Sequence, residues 1–256
     1  MREYLFLHLD LPFTYGLFAA AAVTVTAGYL VFAVTGFGAA LLTVPMLSHF
    51  FALPFVLPLA VLLDVAASLA VGIRFRRDAD RRELSWMVPS SLLGAVLGVT
   101  LLVTLPRAAG MTALGIFTLA YGMYNLRQPS TFKSVSRAWA PVAGLSGGAM
   151  GTLLGIGAPP YAIYLSRRLH DKSAMRATLS TMVLFSTGIR LIVFAVAGLV
   201  LADRLLAFVL LLPFALAGLW IGNKIHLALS RDKVLAAISV LLIAAGVSLL
   251  ARVFFE

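Results

Sequence analysis

The sequence predicts an all-α polytopic membrane protein built from two inverted four-segment repeats. Of its 256 residues, 61% are hydrophobic and only 12% are charged, a balance that a soluble domain of this size could not bury. The apolar runs are about twenty residues long, as membrane-spanning helices require, and they lack the alternation of a β-barrel. A pair of similar glycine motifs, 119 residues apart, predicts the repeat.

Ten apolar runs follow one another along the chain, separated by short polar or basic stretches. Most are long enough to cross a bilayer as helices, whereas two short ones, 38–52 and 158–166, follow the glycine motifs. We therefore expect about eight main transmembrane segments, two of which are discontinuous or hairpin-like. The runs are 14–35, 38–52, 53–73, 85–105, 108–126, 138–154, 158–166, 176–200, 204–223 and 233–253.

Two blocks of residues recur in the same order in both halves of the chain. The motif GFGA at 36–39 recurs as GIGA at 155–158, and a Pro-Gly-Gly pattern in 89–98 recurs in 213–222 at an offset of 124. Such duplication is typical of membrane transporters. We divide the chain into an N-terminal membrane repeat, 1–127, a cytoplasmic linker, 128–137, and a C-terminal membrane repeat, 138–256.

The distribution of Lys and Arg favours inverted repeats. If the broken segments fold back as hairpins, 15 basic residues lie on one side of the membrane and 4 on the other; if they are kinked spans, the split is 11 to 8. Because cytoplasmic loops are enriched in Lys and Arg, the hairpin arrangement is preferred. It puts both termini outside a plasma (inner) membrane.

The glycine motifs interrupt runs that would otherwise continue as helix. A break frees backbone N–H and C=O groups, which are costly in hydrocarbon unless protein or water satisfies them, so breaks line cavities. Each restarting helix points free N–H groups and its positive dipole end at the tip. One motif alone would indicate a packing kink, but two facing tips suit an anion. The predicted binding residues are Gly36, Phe37, Gly38, Ala39, Gly155, Ile156 and Gly157.

Two charged residues lie in the middle of equivalent apolar runs, Asp64 in 53–73 and Arg190 in 176–200. Each costs at least ~2.5–3.5 kcal/mol at a helix centre, so each needs a partner or a watery cavity. In one interpretation they form a structural ion pair, or Arg190 binds carbonyls freed at a break. In the other, Arg190 contacts the anion with Ser186 and Thr187, which share its helix face, and Asp64 is a candidate for proton coupling.

Three stretches carry a family resemblance that covers nearly the whole length: TVPML at 43–47, GLSGGAMGTLLGIGAPP at 144–160 and DKSAMRATLSTMV at 171–183. With these motifs the chain resembles the TauE/SafE family of sulfite and organosulfonate exporters. The resemblance implies transport of a small sulfur-containing anion across the bacterial plasma membrane. This chain has Gly-Ala-Ala and Gly-Ala-Pro where the family often has three glycines, so the particular substrate is not carried over.

Other function classes find little support in the sequence. There is no H-E-x-x-H or G-x-S-x-G motif, and the ten carboxylates are scattered, so we expect neither an enzyme nor a metal site or cofactor. The net charge of +10 follows from basic loops and does not indicate nucleic acid. We therefore predict a secondary transporter that exports a small anion by alternating access, with an anion channel as the alternative. Its partners are the anion and the lipid bilayer, and the oligomeric state, a homodimer included, stays open.

Overall fold

A computed structural model of the protein describes residues 15–35, 38–71, 79–127, 134–225 and 231–255, and all regular structure in these ranges is helical. Five of the helices, α1, α3, α4, α8 and α9, contain stretches long and apolar enough to cross a membrane. The protein is thus an all-helical, multi-pass membrane protein, as predicted. The helices are α1 Tyr15–Thr35, α2 Ala39–Leu47, α3 Leu53–Val71, α4 Arg81–Thr104, α5 Arg107–Arg127, α6 Ala140–Leu154, α7 Ala158–Arg168, α8 Lys172–Val196, α9 Ala202–Ile225 and α10 Arg231–Phe255, with a 3₁₀ turn at Arg137–Trp139 before α6.

The helix boundaries differ from the apolar runs where polar residues control them. Helices α4 and α8 begin before their runs because Asp80 and Asp171 cap them, each accepting hydrogen bonds from two backbone N–H groups of the first turn. Helix α8 ends at Val196, and the chain then turns at Gly198 with φ of 69°. Helix α2 is shorter than its run and ends at Leu47.

Both glycine motifs reverse the chain direction. A Cβ placed on Gly28 of α1 would lie 2.5 Å from Thr43 of α2, so α2 runs back along α1. A Cβ on Gly157 would lie 2.6 Å from the carbonyl oxygen of Gly147, so α7 runs back along α6. Both pairs are therefore helical hairpins: α1–α2 is the first hairpin and α6–α7 the second.

The two tips turn at different glycines. Gly38 precedes α2 with φ of 101°, and Gly155 follows α6 with φ of 77°, both in the left-handed region that favours glycine. Gly157 has an ordinary φ of −93°; its lack of a side chain lets the tip lie against α6 instead. Gly36 and Phe37, also predicted to belong to the first tip, lie outside the described residues.

Glycines bring α4 and α6 into backbone contact. A Cβ on Gly94 would lie 2.1 Å from the carbonyl oxygen of Leu145, and a Cβ on Gly148 would lie 2.1 Å from that of Ser91. Contacts at the two ends of the interface, Met87 with Gly144 and Gly98 with Ala149, show that residue numbers increase together along both helices, so the helices run parallel. Between helices in a membrane, close packing of this kind takes the place of the hydrophobic effect.

Two further helix pairs are also in close contact at glycines. Helices α1 and α9 run parallel, with Gly218 against Thr26 and Gly222 against Leu30. Helices α5 and α10 are antiparallel, because Gly115 faces Leu250 near the end of α10 whereas Gly122 faces the earlier Ser239. In all three pairs a helix of one half packs against a helix of the other half, and two of the pairs include the first helix of a hairpin.

We predict that Gly148→Ala destabilises the protein by roughly 1–3 kcal/mol, the usual cost of overpacking, because the new methyl group would meet the backbone of Ser91. Gly188→Ala is the matched control, since a Cβ there meets nothing within 4 Å. The melting temperatures of both purified variants in detergent give the comparison. Equal melting temperatures would contradict the packing described for α4 and α6.

Candidate functional site

A cavity of about 40 Å³ lies between the tips of the two hairpins. Residues 38–41 line it from the first hairpin, and residues 155–159 and Tyr161 from the second, while α3 and α8 supply the charged groups. A buried water needs roughly 10–15 Å³, so the cavity has room for a few water molecules or a small solute.

Arg190 supplies the positive charge of the cavity. Its residue exposure is 5%, and its Nε and Nη2 atoms are buried without a hydrogen-bond partner among the described residues. Its side-chain stem lies against α6, with Cδ 3.3 Å from where a Cβ would stand at Gly151. Because an uncompensated buried cation is costly, this arrangement favours an anion in the cavity.

Asp64 also lines the cavity, but it does not form an ion pair with Arg190. No nitrogen–oxygen distance within 4.0 Å joins the two residues, both of which the structure describes. Instead, Asp64 Oδ1 accepts a hydrogen bond of 2.8 Å from the hydroxyl of Tyr29, a buried residue of α1. The direct structural pair is therefore absent from this conformation, and the guanidinium of Arg190 keeps its donors.

Hydroxyl groups complete the polar lining. Ser186 and Thr187 both line the cavity, but Thr187 donates its proton to the carbonyl of Val183 at 2.8 Å. Ser186 is instead 3.0 Å from the hydroxyl of Tyr161, which is also 3.0 Å from Ser91. The two neighbouring hydroxyls are thus not equivalent as hydrogen-bond donors.

The structure brings the predicted site residues together as far as it describes them. Tyr161, Tyr29 and Ser91 were missed because single tyrosines and serines in membrane helices are common. One signal was available for α7: Tyr161, Tyr164 and Arg168 are spaced to lie on one face of the helix. The predicted residues that line the cavity are Gly38, Ala39, Asp64, Gly155, Ile156, Gly157, Ser186, Thr187 and Arg190.

A second cavity of about 350 Å³ lies beyond the second tip. It is lined by the turns 52–54 and 105–107 and reaches Leu153, two residues before the cavity-lining Gly155. Val44 and Leu57, both fully buried, pack directly against Gly155. An apolar contact therefore lies next to the tip that borders both cavities.

A buried carboxylate fixes the second hairpin to α4. Glu83 has no exposed surface, and its Oε1 accepts hydrogen bonds from the Nε atoms of Arg137 at 3.0 Å and Arg168 at 3.2 Å. Its Oε2 accepts one from the hydroxyl of Tyr164 at 2.5 Å. The hydrogen bond with Glu83, and then its negative charge, raise the pKa of Arg137 above its ordinary value. The residues of this cluster were not predicted from the sequence.

The fold and the cavity define a multi-pass helical membrane protein with a cationic polar site, and comparison with known proteins makes the class specific. The family described as "Sulfite exporter TauE/SafE" matches residues 20–249. A curated relative from Comamonas testosteroni, named "Probable inner membrane transporter protein TsaS", is 29% identical over 196 residues, which are 75% of this chain and 81% of the relative. No solved structure matches the chain. The chain belongs to the TauE/SafE family and is a membrane transporter.

We predict that Glu83→Gln lowers the free energy of unfolding by about 1.5–3 kcal/mol, the contribution of a hydrogen bond to a charged group. The substitution leaves Arg137 and Arg168 facing each other without the shared carboxylate. Asp203→Asn is the control, because it removes only a more exposed pair with Arg204, worth at most ~1 kcal/mol. Thermal unfolding in detergent measures both variants. A smaller loss for Glu83→Gln than for Asp203→Asn would contradict a stabilising role for the cluster.

Proposed function

We propose that this protein is a secondary transporter that exports a small anion across the plasma membrane, the substrate being sulfite, an organosulfonate or a related sulfur-containing or carboxylate anion. The observation that carries the proposal is Arg190, whose buried Nε and Nη2 atoms have no hydrogen-bond partner among the described residues and whose side chain lines the cavity between the tips. A guanidinium matches two oxygens of a sulfonate, sulfite or carboxylate group. The name of the relative from Comamonas testosteroni also supports an inner-membrane transporter.

The helix packing supports two inverted repeats, 1–127 and 138–256, joined by a linker at 128–137. Exchanging the halves converts the α1–α9 pair into the α6–α4 pair, and both run parallel. It converts the α5–α10 pair into itself, and these helices are antiparallel. A twofold axis in the membrane plane reverses equivalent helices, as in inverted repeats, whereas parallel repeats would leave them aligned.

Contacts between loop ends support the same topology with about eight main transmembrane segments and both termini outside. The N–H of Val135, before α6, donates to the carbonyl of Arg167, near the end of α7, at 3.4 Å. In a kinked, membrane-crossing α6–α7 segment these residues would lie on opposite surfaces. Glu83, at the start of α4, binds arginines from both positions, which fits one basic, cytoplasmic end of the bundle.

The two cavities favour a carrier over the alternative of an anion channel. The cavity that contains Arg190 and the larger one at the turns 52–54 and 105–107 share no lining residue, and both reach the end of α6 at 153–155. The apolar contact of Val44 and Leu57 with Gly155 lies next to the second tip. In alternating access, the anion crosses when this contact opens and the cytoplasmic side closes.

Asp64 is the candidate for coupling transport to protons. It lines the cavity with Arg190, and its bond to Tyr29 holds the carboxyl group in place. A carboxylate beside the anion site opposes the anion by charge repulsion, and protonation removes that repulsion. Protonation of Asp64 would then strengthen anion binding in the same cavity, and anion binding would favour protonation of Asp64.

We predict that cysteines introduced at Ser134 and Ser173 react with a membrane-impermeant maleimide from the cytoplasmic side, and that one at Leu201 reacts from outside. All three residues are exposed, and the chain has no cysteine of its own. In parallel repeats, Ser173 would lie opposite Ser134, and Leu201 on the same side as Ser134. Labelling of the first two sites from opposite sides would refute the inverted arrangement.

We predict that Arg190→Gln lowers sulfite flux into proteoliposomes at least about tenfold, since a lost hydrogen bond to a charged group is worth about 1.5–3 kcal/mol. Arg190→Lys, which keeps the charge but not the planar fork, should retain part of the flux. Arg204→Gln is the control, because that arginine lies outside the cavity. A carrier gives flux that saturates with sulfite, whereas a channel gives large uncoupled currents.

The double variant Asp64→Leu/Arg190→Leu separates function from structural charge balance. If the two residues only neutralise each other, removing both restores folding and transport. If Arg190 binds the anion, the double variant folds and does not transport. Sulfite, taurine and acetate flux by this variant at wild-type rates would overturn the proposed site.

A further inference from the structure

Tyr161 links three helices through one hydroxyl group. Its oxygen lies 3.0 Å from Ser91 Oγ of α4 and 3.0 Å from Ser186 Oγ of α8. All three side chains are buried. The ring lies against α6 at Gly147, where a Cβ would stand only 2.1 Å from a ring carbon. The hydroxyl of Tyr161 is therefore fixed in position by packing.

Ser186 differs from Thr178 and Thr187, two other hydroxyl residues of its helix. Thr178 and Thr187 each donate a hydrogen bond to the carbonyl four residues earlier, as Ser and Thr in membrane helices usually do. Ser186 makes no such bond among the described residues, and its only hydrogen-bond partner there is Tyr161. Its proton is therefore not committed to the backbone.

The three hydroxyls have three protons for two hydrogen bonds, so one proton remains. Because a phenol is a stronger donor and a weaker acceptor than an alcohol, Tyr161 donates to one serine and accepts from the other. Suppose that Ser186 donates to Tyr161 and Tyr161 donates to Ser91. The remaining proton is then on Ser91, which has no exposed surface and no other acceptor among the described residues. An unmet buried donor is costly. If instead Ser91 donates to Tyr161 and Tyr161 donates to Ser186, the remaining proton is on Ser186, which lines the cavity with Arg190.

We infer that Tyr161 is a positioning residue for anion recognition: by donating to Ser186 it keeps that hydroxyl off its own helix and directs its proton to an oxyanion held by Arg190. The inference rests on the proposed function and extends it to residues outside the tips. Of the two serines, only Ser186 lines the cavity, so an anion there supplies an acceptor for Ser186 alone. It therefore favours the arrangement in which Ser91 donates to Tyr161 and Tyr161 donates to Ser186. Three donors, Nε and Nη2 of Arg190 and Oγ of Ser186, then converge on one ligand.

The first experiment needs no anion. In a structure of the Tyr161→Phe variant, Ser186 should rotate and donate to the carbonyl of Met182, four residues earlier, because its competing partner is lost. The Tyr161 ring packing is retained by Phe, so the hairpin should be unchanged. A Ser186 hydroxyl that stays in place in this variant overturns the inference, whatever the protein transports.

The second experiment measures binding of radiolabelled sulfite to purified protein. Tyr161→Phe and Ser186→Ala should each weaken binding about tenfold, as for one hydrogen bond to a charged group. The double variant should also lose about tenfold rather than a hundredfold, because both changes remove the same donor. Ser180→Ala is the control and should retain affinity, since Ser180 is exposed on the same helix and does not line the cavity.

The outcomes separate this inference from the proposed function. If Arg190→Gln abolishes sulfite binding but Tyr161→Phe leaves it unchanged, the anion site stands and the role of Tyr161 is refuted. Multiplicative losses in the double variant would also refute it. If wild-type protein does not bind sulfite, the proposed substrate is wrong, and the position of Ser186 in the Tyr161→Phe structure still decides whether Tyr161 directs it.

Discussion

Backbone-to-backbone contact between helices is the constraint on which the rest of this structure depends. Helices surrounded by lipid gain little from hydrophobic burial against one another, so they associate through close packing. Gly94 and Gly148 bring α4 and α6 into such contact, and Gly218 and Gly222 do the same for α9 and α1. Each pair holds the first helix of one hairpin against a helix of the other half. The two tips meet beside one cavity because of these contacts.

The sequence was sufficient to predict the helices and the two breaks, because both depend on local composition. Apolar length, Gly-x-Gly motifs and the position of Arg190 are visible in short windows of residues. Helix starts were predicted less well, since Asp80 and Asp171 extend α4 and α8 into polar sequence. A capping side chain makes a polar turn helical, and hydropathy does not register this effect.

Within the site, the residues that depend on distant partners could not be predicted. Tyr29 reaches Asp64 across 35 residues of sequence, and Tyr161 reaches Ser91 across 70. Glu83 receives Tyr164 across 81. Which side chains meet depends on how α1 packs against α3 and on the register of α4 against α7, and neither can be read from short windows of one sequence. Arg190 and Asp64 were recognisable because a charge inside an apolar run is costly by itself.

The two hairpins differ in chemistry, although they occupy equivalent places in the sequence. The second is fixed to α4 through Tyr161, Tyr164 and Arg168. The described part of α2, in the first hairpin, is an apolar helix in which Thr43 bonds to its own backbone. The second hairpin and α4 therefore form one unit with polar contacts. In the first hairpin, α2 is held mainly by packing, and the hydrogen bond to Asp64 comes from Tyr29 of α1.

The short length of the second hairpin has an electrical consequence. Helix α6 has 15 residues and α7 has 11, so at 1.5 Å per residue neither spans a hydrocarbon core about 30 Å thick. Under the proposed topology, with water reaching the tips from both sides, most of the membrane voltage falls across a thin layer of protein. Moving one charge through that layer is worth about 2.3 kcal/mol per 100 mV. In a cell that is negative inside, this energy drives an anion outward.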